Sequence, residues 1–402
     1  MVKPKDKYLK MRIGRGDAYI IPGCIEKLRK CDAIIFDCDG VLIDVRASYT
    51  KATIEAVKYF VNELTGIIIP SDDKINEIIY LFKKSGGFNN EWDIVYSILV
   101  FAFNRFPVDY QEEFVDLVNH GKSKEMRDFF YYVKDGLSNQ VGTFKLKNVW
   151  KEVEEELLEF VLKRDSSGIL SVEKELEIIP NTTGKTNERS VAVKQFLNYP
   201  GNVGESLLTT VFEEIFCGPQ LFERVYKLKP RFYDRLGLIE EEKIILTTKS
   251  LTEIESRIER DNLGMATGRG YSLVKYTLGD TLDRFNSRAC IFSDNIEEYE
   301  RRKSNAEEKV NLKKPHPFSL LKAVEELNSF QFAMYVGDSM EDILMVKRAN
   351  EVLPRFISVG VYAASDFREE LILDFFEADT DVILPSVNEL PYLIRKVQEE
   401  NL

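Results

Sequence analysis

Asp37 and Asp39 stand on either side of Cys38 at the end of a short apolar run, Ala33-Ile34-Ile35-Phe36, and Gly40 follows them. Four apolar residues without alternation suit a strand buried on both faces of a parallel sheet. Gly40 can take the backbone geometry of a sharp turn out of that strand. Open α/β sheets bind their ligands at the carboxyl ends of strands. Two carboxylates crowded there repel each other unless a cation binds or one keeps its proton. The pair is thus an arrangement for chemistry, although aspartates also commonly begin a turn after a strand.

Three later stretches have related chemistry. In Y-V-G-D-S-M-E-D, Tyr335–Asp342, an apolar strand ends at Gly337, and Asp338 and Asp342 stand four apart across the strand-to-helix turn. Magnesium takes oxygen ligands in octahedral geometry and keeps several waters, so Asp338 can ligate it, with Asp342 completing the set directly or through water. The bland alternative is Asp338 as a helix N-cap and Asp342 as a first-turn acid. In L-G-M-A-T-G-R, Leu263–Arg269, the hydroxyl of Thr267 and the backbone at Gly268 can hold phosphate oxygens ahead of a helix N-terminus. In K-K-P-H-P, Lys313–Pro317, a lysine can neutralise a phosphate and the crowded carboxylates. Lys314, which directly precedes a proline, is the better placed of the two; an ordinary basic loop is the alternative.

The elements that must position these residues follow an α/β alternation. From Thr252 onward the pattern predicts helix Thr252–Asp261, strand Leu263–Thr267, helix Tyr271–Leu278 and strand Ala289–Phe292. Helix Pro317–Asn328, strand Phe332–Gly337, helix Glu341–Ala349, strand Phe356–Val359 and an edge segment Val382–Leu384 come next. Alternation of this kind implies a doubly wound, Rossmann-like parallel sheet. The first strand precedes the second by about two hundred residues in the sequence. Residues 45–258 are therefore expected to be an inserted, mostly α-helical domain, and residues 1–44 with 259–402 the sheet domain. Within the insertion, helices fit residues 48–64, 72–85 and Glu91–Phe103, then Glu112–Val118, Val149–Leu162 and Leu207–Phe216, with another over Pro219–Leu228. Lys163–Gly204 is polar and rich in Ser, Thr, Asn and Gly, and reads as a mobile or family-specific insertion. Its G-K-T at Gly184 is no phosphate loop, because Ile179 occupies the position where the motif needs glycine. Ala18–Ile21 reads as an added edge strand or packing segment. Lys83, Lys84, Asn89, Asn90 and Arg46 lie near turns of the insertion and read as solvated surface.

Composition narrows the function classes. The 402 residues favour two domains, and 44% hydrophobic content supports real cores. No segment approaches the length of a membrane helix, and the charged start M-V-K-P-K-D-K does not resemble a signal peptide, so a cytoplasmic protein with no membrane partner is expected. Five scattered cysteines without a C-x-x-C pair argue against a disulfide framework or zinc site. Only His120 and His316 exist, so carboxylates must do any acid–base work. A net charge of −12 disfavours a nucleic-acid partner. Abundant Lys, Glu and Ile fit a heat-loving source.

Taken in order, the Asp-x-Asp, Thr, Lys and Asp-x-x-x-Asp stretches, each at a strand end, resemble the haloacid dehalogenase superfamily. A helical cap between the first and second motifs resembles its subfamily I. G-G-F-N-N-E-W-D at Gly86–Asp93 also looks like a little-characterised archaeal phosphatase-like branch. The resemblance implies a phosphatase for a small phosphorylated metabolite. Asp37 would attack phosphorus and carry an aspartyl-phosphate, and Asp39 would protonate the leaving oxygen and then deprotonate water. Mg²⁺ would be held by Asp37, the Asp39 carbonyl and Asp338, with Asp342 beside them, while Thr267, Gly268 and Lys314 would bind the phosphate. A dehalogenase is disfavoured because Asp39 is a carboxylate. A phosphomutase keeps all four motifs, and a binding protein on a disabled version of the fold is the remaining alternative.

Overall fold

The computed structural model describes residues 4–14, 16–88, 90–139, 146, 149–180, 184, 186–303 and 310–399. Ten strands lie among them: β1 (Leu9–Ile13), β2 (Gly16–Ile20), β3 (Cys31–Phe36), β4 (Ile43–Asp44), β5 (Lys243–Ile244), β6 (Leu263–Ala266), β7 (Cys290–Ile291), β8 (Phe332–Gly337), β9 (Phe356–Val361) and β10 (Val382–Leu384). Eight form one sheet in the order β1-β2-β10-β9-β8-β3-β6-β7, and β4 pairs with β5 in a separate ladder. Neighbours from β10 through to β7 run parallel. On the other side of β10, β2 and then β1 are added antiparallel. The Rossmann-like α/β class is therefore present, with an N-terminal hairpin as its edge.

The reason for an unalternating β3 is visible in what its two faces touch. Ile34 and Phe36 pack with Met334, Val336, Ile357 and Val359 on one side. Ala33 and Ile35 pack with Tyr335, Leu320 and Met345 on the other. Helices cover both faces, so each isoleucine loses essentially all its exposure, a gain of about 1.5–3 kcal/mol apiece.

The chain divides into two compact units, residues 1–46 with 242–402, and residues 47–241. The return crossing thus falls at Glu241, not near residue 258. Two features draw residues 242–258 into the sheet unit. β5 pairs antiparallel with β4, Asp44 opposite Lys243. Leu246, Leu251, Ile254 and Ile258 join the sheet unit's core. Such apolar spacing at 251, 254 and 258 fits a helix in either domain, so the sequence pattern could not assign it.

The inserted unit is helical. Among the described residues its longer helices are Lys51–Thr65, Asp73–Lys84, Glu91–Phe103, Val108–Gly121, Met126–Ser138, Val149–Val161, Glu188–Leu197 and Leu207–Tyr226. The last is broken at Gly218 (φ 68°), so the two helices expected there exist on either side of a kink at Pro219. The described residues of 163–204 contain regular structure. Helices Ile169–Glu175 and Glu188–Leu197 lie among them, with Val172, Val193 and Phe196 buried. Met126–Ser138 is a helix the sequence reading lacks; Phe130, Val133 and Leu137 form its buried stripe. Arg15, Asn89, the 181–183 stretch and residue 185 lie outside the described residues. No helix among the described residues is long and apolar enough to cross a membrane.

The G-G-F-N-N-E-W-D stretch is explained by packing and capping inside this unit. Gly87 lies so close to residues 165–168 that a Cβ there would sit 2.5 Å from the Gly168 nitrogen. Phe88 packs on Phe82. Asn90 caps the helix Glu91–Phe103 by accepting from the Asp93 amide, instead of being solvated surface. Lys83 pairs with Glu91, Trp92 donates to buried Glu213, and Tyr199 donates to Asp93.

Candidate active site

Register alone gathers the first, second and fourth motifs. Phe36 pairs with Val336 on one side and with Met265 on the other, so the chain ends of β6, β3 and β8 lie side by side. The Asp37 amide continues the ladder by donating to the Val336 carbonyl at 2.8 Å. Immediately after it the chain turns tightly. Leu42 and Ile43 both donate to the Cys38 carbonyl, and Gly40 donates to that of Ile43. Gly40 has φ +70°, and a Cβ there would fall 1.8 Å from Oδ2 of Asp338. Only glycine lets the turn after β3 approach Asp338 this closely.

Lys314 reaches the same place from the loop before helix Phe318–Val324. Its Nζ lies 2.9 Å from Asp37 Oδ1 and 2.8 Å from Asp342 Oδ1. The Tyr335 hydroxyl lies 3.0 Å from both the Ala266 carbonyl and Asp342 Oδ1. Asp342 is wholly buried and also serves as the third helical residue of a capping box. Ser339, not Asp338, is the N-cap: its Oγ accepts from the Asp342 amide, while Asp342 Oδ2 accepts from the Ser339 amide and hydroxyl. Asp342 therefore combines a first-turn structural role with a place beside Asp37 and Asp338. Asp338 is left at the turn, half-buried, facing Gly40.

Oxygens of Asp37, Asp338 and Asp342 all lie within 4.8 Å of one another. Three carboxylates this close are a hard, all-oxygen donor set that can hold a divalent cation such as magnesium. The electrostatics agree. Burial pushes the Asp37 carboxyl up from its ordinary range against the pull of Lys314, with Asp342 and Asp39 adding to the rise. Burial works against the charge on Lys314, but Asp342 and Asp37 outweigh it and hold the ammonium on. A cation at this place would relieve the carboxylate crowding. Burial also pushes the Cys38 thiol up, which fits a packing role for that residue.

Thr267 is buried at the end of β6, its amide donating to the Ile291 carbonyl and its hydroxyl accepting from the Arg269 amide. A Cβ at Gly268 would meet nothing within 4 Å. The Asp39 carboxylate meets Arg269, whose Nη1 lies 2.9 Å from its Oδ1. Sequence reasoning passed over Arg269, Glu242 and Tyr335. For Arg269 a signal existed, since it ends the same L-G-M-A-T-G-R stretch. Glu242 sits in an acidic run, Glu240–Glu242, that reads as solvated surface.

Two solved structures are similar to this chain over most of its length. A protein solved as a Northeast Structural Genomics Consortium target has a TM-score of 0.60 and 18% identity, covering 92% of this chain and 99% of its own. The phosphatase Tt82 from Thermococcus thioreducens has a TM-score of 0.47 and 18% identity, covering 91% of this chain and 99% of its own. No curated protein matches the sequence. The family model for haloacid dehalogenase-like hydrolase matches residues 31–350, which run from the first residue of β3 to beyond Asp342. With the match covering most of its length, the chain belongs to the haloacid dehalogenase-like hydrolases.

Proposed function

We propose that this hydrolase is a magnesium-dependent phosphatase acting on a small phosphorylated metabolite through an aspartyl-phosphate on Asp37. The observation that carries the reading is the ion pair of Asp37 with Lys314 inside a triad of carboxylates at the ends of adjacent parallel strands. Asp37, Asp338 and, directly or through water, Asp342 would hold the cation, together with the Asp39 carbonyl. Bound there, it would screen the charge on the transferring phosphoryl group.

The residues divide the chemistry. Asp37 supplies a carboxylate oxygen to phosphorus, and the bond from phosphorus to the leaving oxygen breaks as Asp39 gives that oxygen a proton. Water then attacks phosphorus, Asp39 takes its proton, and the bond to Asp37 breaks to free phosphate and the carboxylate. Lys314 neutralises phosphoryl oxygens while holding Asp37 in place, and Thr267 with the Gly268 backbone receives the remaining oxygens.

Release of inorganic phosphate from a panel of phosphorylated metabolites tests this reading. Activity is expected with Mg²⁺, to vanish in excess EDTA and to return on adding Mg²⁺. Asp37→Asn should lower turnover by on the order of 10⁴-fold, since an amide cannot form the acyl-phosphate. A purified variant retaining a tenth of the wild-type rate would exclude Asp37 as the nucleophile.

A further inference from the structure

Arg269 is among the largest wholly buried side chains in the protein. Its guanidinium bridges two carboxylates. Nη1 contacts Asp39 Oδ1 at 2.9 Å and Glu242 Oε1 at 2.9 Å, while Nη2 contacts Glu242 Oε2 at 2.7 Å. Thr277, on helix Tyr271–Leu278, donates to the same Glu242 Oε2 at 2.5 Å. The side chains of Arg269 and Glu242 have no exposure, whereas that of Asp39 is 29% exposed. Burying charges is costly unless pairing and geometry are good, and a bidentate arginine–carboxylate fork is the strong form of that pairing. With no exposed surface, Arg269 is poorly placed to take a phosphate from solvent. What it presents toward the site is one held oxygen of Asp39.

We propose that Arg269 is a positioning residue, anchored by Glu242 and Thr277, that fixes Asp39 for proton transfer to the leaving group and from water. The inference rests on the phosphatase reading. A general acid must hold its proton within hydrogen-bond reach of the leaving oxygen, and a short aspartate otherwise has rotamers that point elsewhere. Holding Oδ1 sets the direction of the other carboxylate oxygen. Glu242 in turn keeps the long arginine side chain from swinging. It is the residue at which the chain re-enters the sheet unit, just ahead of β5.

A structural role and a positioning role differ in their dependence on the leaving group. An alkyl phosphate needs a proton on its departing oxygen; 2,4-dinitrophenyl phosphate releases 2,4-dinitrophenolate, a stable anion that needs none. The test compares both esters in the full-length Mg²⁺-loaded protein, measuring the first-turnover rate. Arg269→Gln combined with Glu242→Gln removes the two wholly buried charges together and leaves only the part-exposed Asp39 carboxylate. This variant should lose on the order of 100-fold on the alkyl ester and only about threefold on the dinitrophenyl ester. Thr277→Val keeps both charges and removes one hydroxyl; it should show a smaller loss with the same preference, which keeps the test usable should the double variant fail to fold. Equal losses on the two esters would overturn the positioning role. A wild-type protein that cleaves neither ester nor any metabolite would overturn the phosphatase reading, and this inference with it.

Discussion

The close approach at Gly40 sets the tolerance of the candidate site at the scale of single residues. Any side chain there must adopt a left-handed backbone, costing about 1–2 kcal/mol, and would also drive a Cβ into the Asp338 carboxylate. The two effects have different readouts. The strain lowers stability modestly, whereas displacement of Asp338 opens the carboxylate triad. Gly40→Ala is therefore expected to weaken Mg²⁺ binding by roughly tenfold or more while the protein still folds. Isothermal titration with Mg²⁺ beside thermal unfolding checks this. Unchanged Mg²⁺ affinity in the variant would remove Asp338 from the cation's ligands.

At the scale of elements, two helix N-termini offer a controlled comparison. Ser339 caps the helix Met340–Val352 and also donates to Asp342 Oδ2, so one side chain both starts a helix and orients a carboxylate of the triad. Asn90 caps helix Glu91–Phe103 in the inserted unit in the ordinary way. Replacing either by alanine should cost about 1 kcal/mol of stability, the usual worth of an N-cap. Only Ser339→Ala should also weaken Mg²⁺ binding and slow turnover, because Asp342 then loses a donor. Denaturant unfolding and Mg²⁺ titration of both variants provide the check. Equal effects on Mg²⁺ binding would show that the cap serves stability alone.

At the scale of the whole molecule, the two crossings between units lie at neighbouring points of one ladder. Asp44 pairs with Lys243, so the chain leaves and re-enters the sheet unit within a strand spacing. Residues 47–241 can then be exchanged for a short Gly/Ser linker without stretching the sheet unit. Asp37, Asp39, Thr267, Lys314, Asp338, Asp342, Arg269 and Glu242 all belong to the part retained. The shortened protein is expected to bind Mg²⁺ and to hydrolyse p-nitrophenyl phosphate slowly, while its discrimination among natural phosphate esters collapses. A folded, Mg²⁺-binding sheet unit inactive on every ester would show that residues 47–241 donate an essential group.

How much of this was legible in the sequence depends on the range over which each feature is decided. The strands at Phe332–Gly337 and Val382–Leu384 and helix Tyr271–Leu278 carry their signals within a few residues, and their expected bounds match the folded ones. The Asp37, Thr267 and Asp338 positions could be singled out because each follows its own apolar strand. Parallel pairing then brought those strand ends together. Where the inserted unit ends was not legible. The pairing of Lys243 with Asp44 joins residues about two hundred positions apart, and the stripe of Leu251, Ile254 and Ile258 does not say which core it enters. Nor could the sequence reveal that Glu242, in a run of acids, is the one turned inward to meet Arg269. Local spacing determines which residues can do chemistry, because strand and turn propensities act over a few bonds. Which of two identical carboxylates is buried, and against what cation, is decided only when distant segments close the core around it.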